Sequence, residues 1–213
     1  MSELKIFLGP PGAGKGTQAI KIASEFGLAH ISTGDMLREH ITNKTDLGKI
    51  AKSVMDEGQL VSDDLVIAML AERLGNDDCK NGAILDGFPR TLPQAKSLED
   101  IKNKFPVSKV FVFEVDEEEL IQRILLRGQT SGRSDDTEES IKVRFEIYIQ
   151  DTEPLIDFYN EQNKVIKINA PPIQIINKSS TDTAKISPNN NPIISNLINV
   201  KKPITTSPTA RDE

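Results

Sequence analysis

Short apolar segments alternate with amphipathic segments along the first 169 residues of the chain. Consecutive or alternating apolar residues predict strands, and apolar residues at a period of 3.6 predict helices. The predicted strands are 4–8, 29–32, 83–85, 110–113 and 164–168. The predicted helices are 17–26, 34–43, 46–57, 62–74, 93–102, 117–126 and 138–160. Because parallel neighbouring strands need crossover connections, this alternation predicts an α/β fold with three layers, in which helices flank both faces of a parallel sheet of about five strands.

The composition of the chain changes after residue 169. Residues 170–213 contain six of the twelve prolines, no glycine and no aromatic residue. We therefore predict a core domain at 1–169 and an atypical C-terminal tail at 170–213. Pro171 and Pro172 block a helix directly after the last strand, whereas the apolar residues after Pro192 favour a displaced helix at 192–201. A disordered tail is an equal alternative.

Charge and hydropathy exclude several classes of protein. The 26 Lys and Arg against 32 Asp and Glu give a net charge of −6, which argues against a basic face for nucleic acid. No apolar run approaches the ~20 residues of a membrane span, and the first eight residues do not resemble a signal peptide. The single cysteine, Cys79, forbids an internal disulfide and a cysteine-based zinc site. We expect a cytoplasmic protein with neither nucleic-acid nor membrane partners and no structural zinc.

A glycine-rich loop directly follows the first predicted strand. Residues 9–17 read Gly-Pro-Pro-Gly-Ala-Gly-Lys-Gly-Thr. Glycines allow successive backbone N–H groups to face phosphate oxygens, the following helix adds the positive end of its dipole, and Lys15 supplies a mobile positive charge. The loop therefore predicts a phosphate site. Gly16 stands where Ser or Thr often follows the lysine, which leaves the magnesium contact of Thr17 open.

Five arginines stand at predicted strand ends and loop edges. They are Arg38, Arg90, Arg127, Arg133 and Arg144. The planar guanidinium fork suits phosphate oxygens, so five arginines in an acidic chain indicate an anionic ligand. Surface ion pairing is the alternative for each, and it is strongest for Arg144, which lies among glutamates. Asp135 and Asp136 are expected to order the arginines by ion pairing rather than to act as acid and base.

Five motifs occur in a fixed order. They are the loop 9–17, Ser-Thr-Gly-Asp-Met-Leu-Arg at 32–38, Gly-Gln-Leu-Val at 58–61, Asp-Gly-Phe-Pro-Arg at 86–90 and Arg-Gly-Gln-Thr-Ser-Gly-Arg at 127–133. In order and spacing they resemble the nucleoside monophosphate kinases, and most closely the adenylate kinases, over residues 3–169. The loop at 127–137 is short, as in the short-lid form of the family. It lacks the cysteine quartet that holds zinc in some long-lid members.

The resemblance implies a P-loop NTPase-type fold with a mobile helical monophosphate-binding arm at 32–61 and a short lid at 127–137. It implies that ATP is bound by Gly12, Ala13, Gly14, Lys15, Gly16, Thr17, Arg127 and Pro172. It implies that AMP is bound by Thr33, Arg38, Gln59, Leu60, Val61, Gly87, Phe88, Pro89, Arg90, Gln94, Arg133 and Arg144. The implied catalytic residues are Lys15, Arg90, Arg133 and Arg144. Asp86 would hold Mg²⁺ through water.

The resemblance also implies the reaction, a reversible Mg²⁺-dependent transfer from ATP to AMP that gives two ADP, carried out by a monomer. Thr33 and Gln94 favour AMP, because relatives that act on UMP and CMP tend to carry alanine and asparagine there. The amide of glutamine can pair with the N6 amino group and a ring nitrogen of adenine. A UMP/CMP-type kinase is the alternative. A sensor or scaffold that binds ATP without transfer is a second one, although binding alone would not need so many arginines.

Overall fold

The computed structural model describes residues 2–131 and 133–169, which belong to the unit Met1–Pro172. Pro172 and the predicted helix at 192–201 lie outside the described residues. The strands are β1 (Leu4–Leu8), β2 (Ala29–Ser32), β3 (Ala83–Asp86), β4 (Val107–Glu114) and β5 (Val165–Asn169). The α-helices are α1 (Lys15–Phe26), α2 (Thr33–Thr42), α3 (Asp46–Asp56), α4 (Asp63–Leu74), α5 (Leu92–Asp100), α6 (Glu117–Ser131), α7 (Glu138–Ile147) and α8 (Leu155–Asn160).

Within the described part of the chain, the five strands form one parallel sheet in the order β2-β3-β1-β4-β5. The central strand β1 pairs with β3, where Phe7 lies opposite Asp86, and with β4, where Leu8 lies opposite Val112. The predicted α/β class, the parallel sheet and its number of strands are confirmed. Because ligands of such sheets bind outside the carboxyl ends of the strands, the segments after β1 and β3 meet where a site is expected.

Apolar side chains on both faces of the sheet are buried. Leu4 and Ile6 are fully buried in β1, and so are Val110 and Phe111 in β4. Phe7 packs edge-to-face against Phe111, with ring centroids 5.5 Å apart. Burial on both faces is characteristic of parallel sheets that carry helices on each side. The core therefore provides a rigid support for the loops at the carboxyl edge.

The predicted helix at 138–160 is interrupted. It consists of α7, a π-helical turn at Tyr148–Thr152, and α8. Pro154 explains the interruption, because proline lacks the N–H that an uninterrupted helix would use at that position. The prediction of one long helix was wrong because it relied on the apolar period and gave no weight to this residue.

The boundaries of two other elements differ from those predicted. Helix α6 continues to Ser131 rather than ending at residue 126, so residues 127–131 of the predicted lid loop are helical. A single glycine inside a helix costs only about 1 kcal/mol relative to alanine, and Gly128 therefore does not end it. Strand β4 begins at Val107, three residues earlier than predicted, because Val107 still pairs with Leu4. Among the described residues, no helix is long and apolar enough to cross a membrane.

Candidate active site

The phosphate loop runs from the end of β1 to the start of α1. Gly12 and Gly14 have positive φ angles of 83° and 84°, a conformation that favours glycine. Helix α1 begins at Lys15, so the N–H groups of its first turn lack intrahelical acceptors and lie beside the loop. Ala13 is buried, and its own N–H donates to the carbonyl of Pro10 at 3.2 Å. The loop thus combines a tight backbone turn with the positive end of a helix.

Lys15 folds back over this loop. Its Nζ donates to the carbonyl oxygens of Gly9 and Pro10 at 2.7 and 2.8 Å. Burial lowers the pKa of Lys15 to about 8, and the charge of Asp86 opposes this shift. Three positive neighbours lower the pKa further: Arg90, Arg144 and Arg127. The ammonium group is therefore partly desolvated and lies near three arginines, and an anionic ligand would stabilise its charged form.

Asp86 ends β3 next to the phosphate loop. Its Oδ2 lies 3.7 Å from Nε2 of His30. A Cβ atom at Gly16 would lie 2.9 Å from the same oxygen, so glycine at 16 leaves room for this carboxylate. Such space explains the departure from Ser or Thr after the lysine. Mg²⁺ in nucleotide sites is held by one or two carboxylates together with substrate phosphates, and Asp86 fits that role.

Asp136 holds two arginines in place. Arg127 donates to both of its carboxylate oxygens, at 2.8 and 2.6 Å, and Arg144 donates to Oδ1 at 2.9 Å. The side chain of Asp136 is fully buried. Burial would raise the pKa of Asp136, but the hydrogen bonds and charges of Arg127 and Arg144 outweigh it and keep the pKa below its usual value. As expected, the Asp135–Asp136 pair orders arginines, since Arg144 also lies 3.3 Å from Oδ2 of Asp135.

Asp35 joins two further arginines that are 95 residues apart in the chain. Its Oδ1 accepts hydrogen bonds from Arg38 at 2.7 Å and from Arg133 at 3.2 Å. Burial would raise the pKa of Asp35, but Arg38 and Arg133 lower it overall. Ser134 also donates to Asp56 at 2.7 Å. These contacts bring the predicted arm and the predicted lid together over the carboxyl edge of the sheet.

Arg90 is positioned through its backbone and its guanidinium. Its Nε donates to the carbonyl of Gly87 at 2.9 Å, and its own carbonyl accepts from Thr152 Oγ1 at 2.8 Å. Burial, together with the positive charge of Arg144, lowers the pKa of Arg90 to about 10. Gly87 has a φ of 76°, which favours glycine, and a Cβ atom there would lie 2.9 Å from Nη2 of Arg90, so the guanidinium would have to shift. Arg90 is thus a half-buried cation that lies near a second one, Arg144.

Thr33 and Gln94 are two uncharged side chains close to Arg90. Thr33 Oγ1 donates to the carbonyl of Gly87 at 2.8 Å, and both side chains are 2% exposed. Oε1 of Gln94 accepts the backbone N–H of Arg90 at 2.8 Å, and its Nε2 donates to Oδ1 of Asp63 at 2.8 Å. Sequence reasoning missed Asp63, which it assigned only to the start of a helix, because nothing local indicates a partner 31 residues away.

The remaining predicted residues differ in how they are placed. Phe88 and Val61 have side chains in the hydrophobic core, so only their backbone is available to a nucleotide. Pro89, which follows a cis peptide bond, is also buried, whereas Gln59 is exposed and Leu60 is half-buried. Thr17 lies exposed in the first turn of α1.

The sequence of this chain matches a known protein family. The family model described as "Adenylate kinase" matches residues 7–164. An adenylate kinase of Parabacteroides distasonis is 49% identical over 165 residues, which cover 76% of this chain and 87% of the relative. An adenylate kinase of Prochlorococcus marinus is 46% identical over 170 residues, which cover 79% of this chain and 89% of the relative. An adenylate kinase of Archaeoglobus fulgidus is 43% identical, and the match covers 74% of this chain and 86% of the relative.

The fold, the phosphate loop and the sequence matches all indicate the same protein family. The phosphate loop follows the central strand β1 of the parallel sheet. The ion pairs of Asp35, Asp135 and Asp136 bring together four arginines: Arg38, Arg127, Arg133 and Arg144. The family match extends over most of the described residues, from within β1 to the residue before β5. The chain belongs to the adenylate kinase family.

Proposed function

We propose that this chain catalyses the reversible, Mg²⁺-dependent transfer of the terminal phosphoryl group of ATP to AMP, giving two ADP. The observation that carries the proposal is the convergence of Lys15 and Arg90 with the other arginines at the carboxyl edge of the sheet. Burial is the main cause of the lowered pKa values of Lys15 and Arg90, and neighbouring arginines lower both pKa values further. Two nucleotides, which together carry four phosphates, supply the negative charge that this arrangement requires.

On the ATP side, the loop residues from Gly12 to Thr17 would surround the phosphates with backbone N–H groups. Lys15 would exchange its carbonyl partners for phosphate oxygens. Arg127, held by Asp136, would contact ATP from the end of α6. Asp86 would hold Mg²⁺ through water, and the bound ion would neutralise negative charge on the phosphates. Thr17 is the second candidate for this contact.

On the AMP side, Arg38, Arg90 and Arg133 would bind the phosphate. The guanidinium groups of Arg38 and Arg133 already converge on one oxygen of Asp35, an arrangement that suits a compact anion. Thr33 and Gln94 would contact the adenine. Backbone groups of 59–61 and 87–89 would line the same site.

The transfer itself needs charge stabilisation and orientation. An oxygen of the AMP phosphate attacks the γ-phosphorus of ATP, the bond from that phosphorus to the β,γ-bridging oxygen breaks, and ADP leaves. Because the attacking oxygen is already anionic, no general base is needed. Lys15, Arg90, Arg133 and Arg144 would stabilise the charge spread over the transferring oxygens.

Water competes with AMP as the acceptor, so the site has to exclude it during transfer. We propose that the arm, 32–61, and the lid, 127–137, close over the two nucleotides. The hydrogen bonds from Arg133 to Asp35 and from Ser134 to Asp56 support this, because each joins one segment to the other. We also propose that the enzyme acts as a cytoplasmic monomer. Light scattering of the purified chain would test whether it is monomeric.

A coupled assay with Mg·ATP and AMP tests the reaction. We expect ADP formation that depends on both AMP and Mg²⁺ and that is lost in Lys15→Met. Parallel rates with CMP and UMP test the choice of base, and we expect AMP to have the highest kcat/KM. The absence of AMP-dependent ADP formation would contradict the proposed reaction, and a higher kcat/KM for UMP or CMP would contradict the proposed acceptor.

A further inference from the structure

Three side chains link the start of α4 to the start of α5. Gln94 Nε2 donates to Oδ1 of Asp63 at 2.8 Å, and Thr91 Oγ1 donates to the same oxygen at 2.9 Å. The Thr91 hydroxyl also caps α5 by accepting the backbone N–H of Gln94 at 3.3 Å. Asp63 thus accepts one hydrogen bond from the N-cap residue of α5 and another from the residue proposed to bind adenine.

The partners of the Gln94 amide determine which way it points. Its Oε1 faces the backbone N–H of Arg90, which can only donate, and its Nε2 faces the carboxylate of Asp63. A reversed amide would place a donor against a donor and an oxygen against an oxygen. At 2% exposure, such mismatches are costly. Each amide atom still has one unused site: Oε1 has a second lone pair and Nε2 a second hydrogen.

This orientation distinguishes between bases by the order of donor and acceptor along their edges. Adenine presents an amino donor beside a ring-nitrogen acceptor, which complements the remaining lone pair of Oε1 and hydrogen of Nε2 on Gln94. Guanine presents a carbonyl acceptor beside a ring N–H donor, the reverse order, in a base of the same size. Uracil has the reverse order too. An amide of fixed orientation therefore favours adenine over guanine, whereas an amide free to rotate would pair with either.

We propose that Asp63 is a positioning residue that makes the enzyme prefer AMP over GMP by fixing the orientation of the Gln94 amide. The inference rests on the proposed function, in which Gln94 contacts the base of the acceptor nucleotide. Asp63 itself does not touch the nucleotide. Its carboxylate acts through an acceptor oxygen, and a neutral side chain with an oxygen at the same place performs the same task.

The first test compares three variants in steady-state assays with AMP and with GMP. In Asp63→Ala we expect the KM for AMP to rise roughly three- to tenfold, as for the loss of one hydrogen bond, with kcat and the KM for ATP within about twofold of the parent. The kcat/KM ratio of AMP to GMP falls by a similar factor. Asp63→Asn keeps the acceptor oxygen and retains the parent values. Asp64→Ala removes an exposed carboxylate from the same helical turn, so it controls for the helix dipole. It leaves the KM for AMP and the AMP-to-GMP ratio of kcat/KM unchanged.

The second test is a double-mutant cycle with Gln94→Ala. If Asp63 acts through Gln94, then Asp63→Ala has no further effect on the AMP-to-GMP ratio once Gln94 is alanine. Three outcomes would each overturn the proposal. The AMP-to-GMP ratio could stay unchanged in Asp63→Ala, or Asp63→Ala could change it equally in the parent and in the Gln94→Ala background. The third is an Asp63→Asn variant that behaves like Asp63→Ala. Thermal melts identify variants that do not fold, and Asp63→Ser replaces Asp63→Ala if the latter melts below the assay temperature.

Affinities for AMP and GMP, measured by calorimetry on the same variants, separate the two proposals. A parent protein that binds AMP without forming ADP contradicts the proposed reaction, yet its AMP-to-GMP affinity ratio still responds to Asp63. Conversely, a parent protein that forms ADP normally, with a ratio that Asp63→Ala does not change, refutes only the role of Asp63.

Discussion

Two neighbouring regions of the site are held by different forces. One is the arginine cluster, and the other is the Gln94 site, formed by Gln94 and Asp63. The arginine cluster consists of Arg38, Arg90, Arg127, Arg133 and Arg144. In the cluster, Arg127 and Arg144 are fixed by the buried carboxylate of Asp136, and burial together with the charge of Arg144 lowers the pKa of Arg90 to about 10. At Gln94, an uncharged amide is held between a backbone N–H and the oxygen of Asp63. One region is organised by charge and the other by the direction of hydrogen bonds.

This difference indicates a division of labour. Charge interactions are strong in a partly buried site and depend only weakly on angle, so they suit phosphates that move during transfer. Hydrogen bonds lose strength steeply when they are misaligned, so they suit the choice between two bases of equal size. We therefore expect damage to the cluster to reduce turnover or stability, and damage around Gln94 to change mainly the affinity for the acceptor nucleotide.

The largest expected effect is on turnover in Arg90→Ala. Removing a cation that stabilises the transferring phosphoryl group should lower kcat about 10²- to 10³-fold. The control is His40→Ala, because Nδ1 of His40 lies 3.0 Å from Thr45 Oγ1 within the arm and we assign it no catalytic role. Steady-state rates at saturating ATP and AMP measure both variants. Losses of similar size in the two variants would contradict the assignment of Arg90.

The next effect is on stability in Asp136→Asn. Removing one partner from a buried ion-pair network leaves Arg127 and Arg144 poorly compensated, and the free energy of unfolding should fall by about 3 kcal/mol. Urea denaturation measures this change, and Asp116→Asn, which alters an exposed carboxylate, serves as the control. A loss no larger than that of the control would show that Asp136 does not hold the arginines in solution.

The lowered pKa of Asp136 also predicts how the stability of the fold depends on pH. Its pKa is lower in the folded chain than the usual value near 3.8, so the folded state binds fewer protons than the unfolded state in that range. The stabilisation is therefore fully present above the usual pKa and is lost as the pH falls through the folded value. Urea titrations at a series of pH values from 5 down to the acid limit of the folded state measure this loss. The free energy of unfolding should decline less with falling pH in Asp136→Asn than in the parent.

A moderate effect concerns proton uptake by Lys15. With a pKa of about 8, roughly half of the Lys15 side chains are neutral at pH 8, and the phosphates of ATP should raise this pKa on binding. Calorimetry of Mg·ATP binding in buffers of different ionisation enthalpy should then detect an uptake of up to about half a proton at pH 8. Lys15→Met should abolish it, and an equal uptake in that variant would assign the proton to another group.

The smallest expected effect is in Thr33→Ala, on the uncharged side of the comparison. The variant loses the hydrogen bond from Oγ1 to the Gly87 carbonyl, and the KM for AMP should rise about two- to fivefold. The value of kcat should stay within about twofold of the parent, because no charge near the transferring group is removed. A loss in kcat comparable to that of Arg90→Ala would place Thr33 among the residues that stabilise the transition state.

Sequence reasoning succeeded where the evidence is local. The alternation of strands and helices and the loop around Lys15 depend on residues close together in the chain, and the structure has them as predicted. It failed at Pro154, where the apolar period outweighed the missing N–H, and at the end of α6, where residues 127–131 were assigned to the lid loop. It also missed Asp63, whose position is that of an ordinary first-turn carboxylate.

The sequence by itself determined the α/β fold, the phosphate loop and the family, since short-range periodicity and five ordered motifs are sufficient for each. Tertiary structure decided which charges meet. It placed Arg127 on Asp136, Arg133 on Asp35 and Gln94 on Asp63. It also set the lowered pKa of Lys15. The physical reason is that burial and distances of a few ångströms control these interactions, and both arise only when strands distant in the chain are brought side by side.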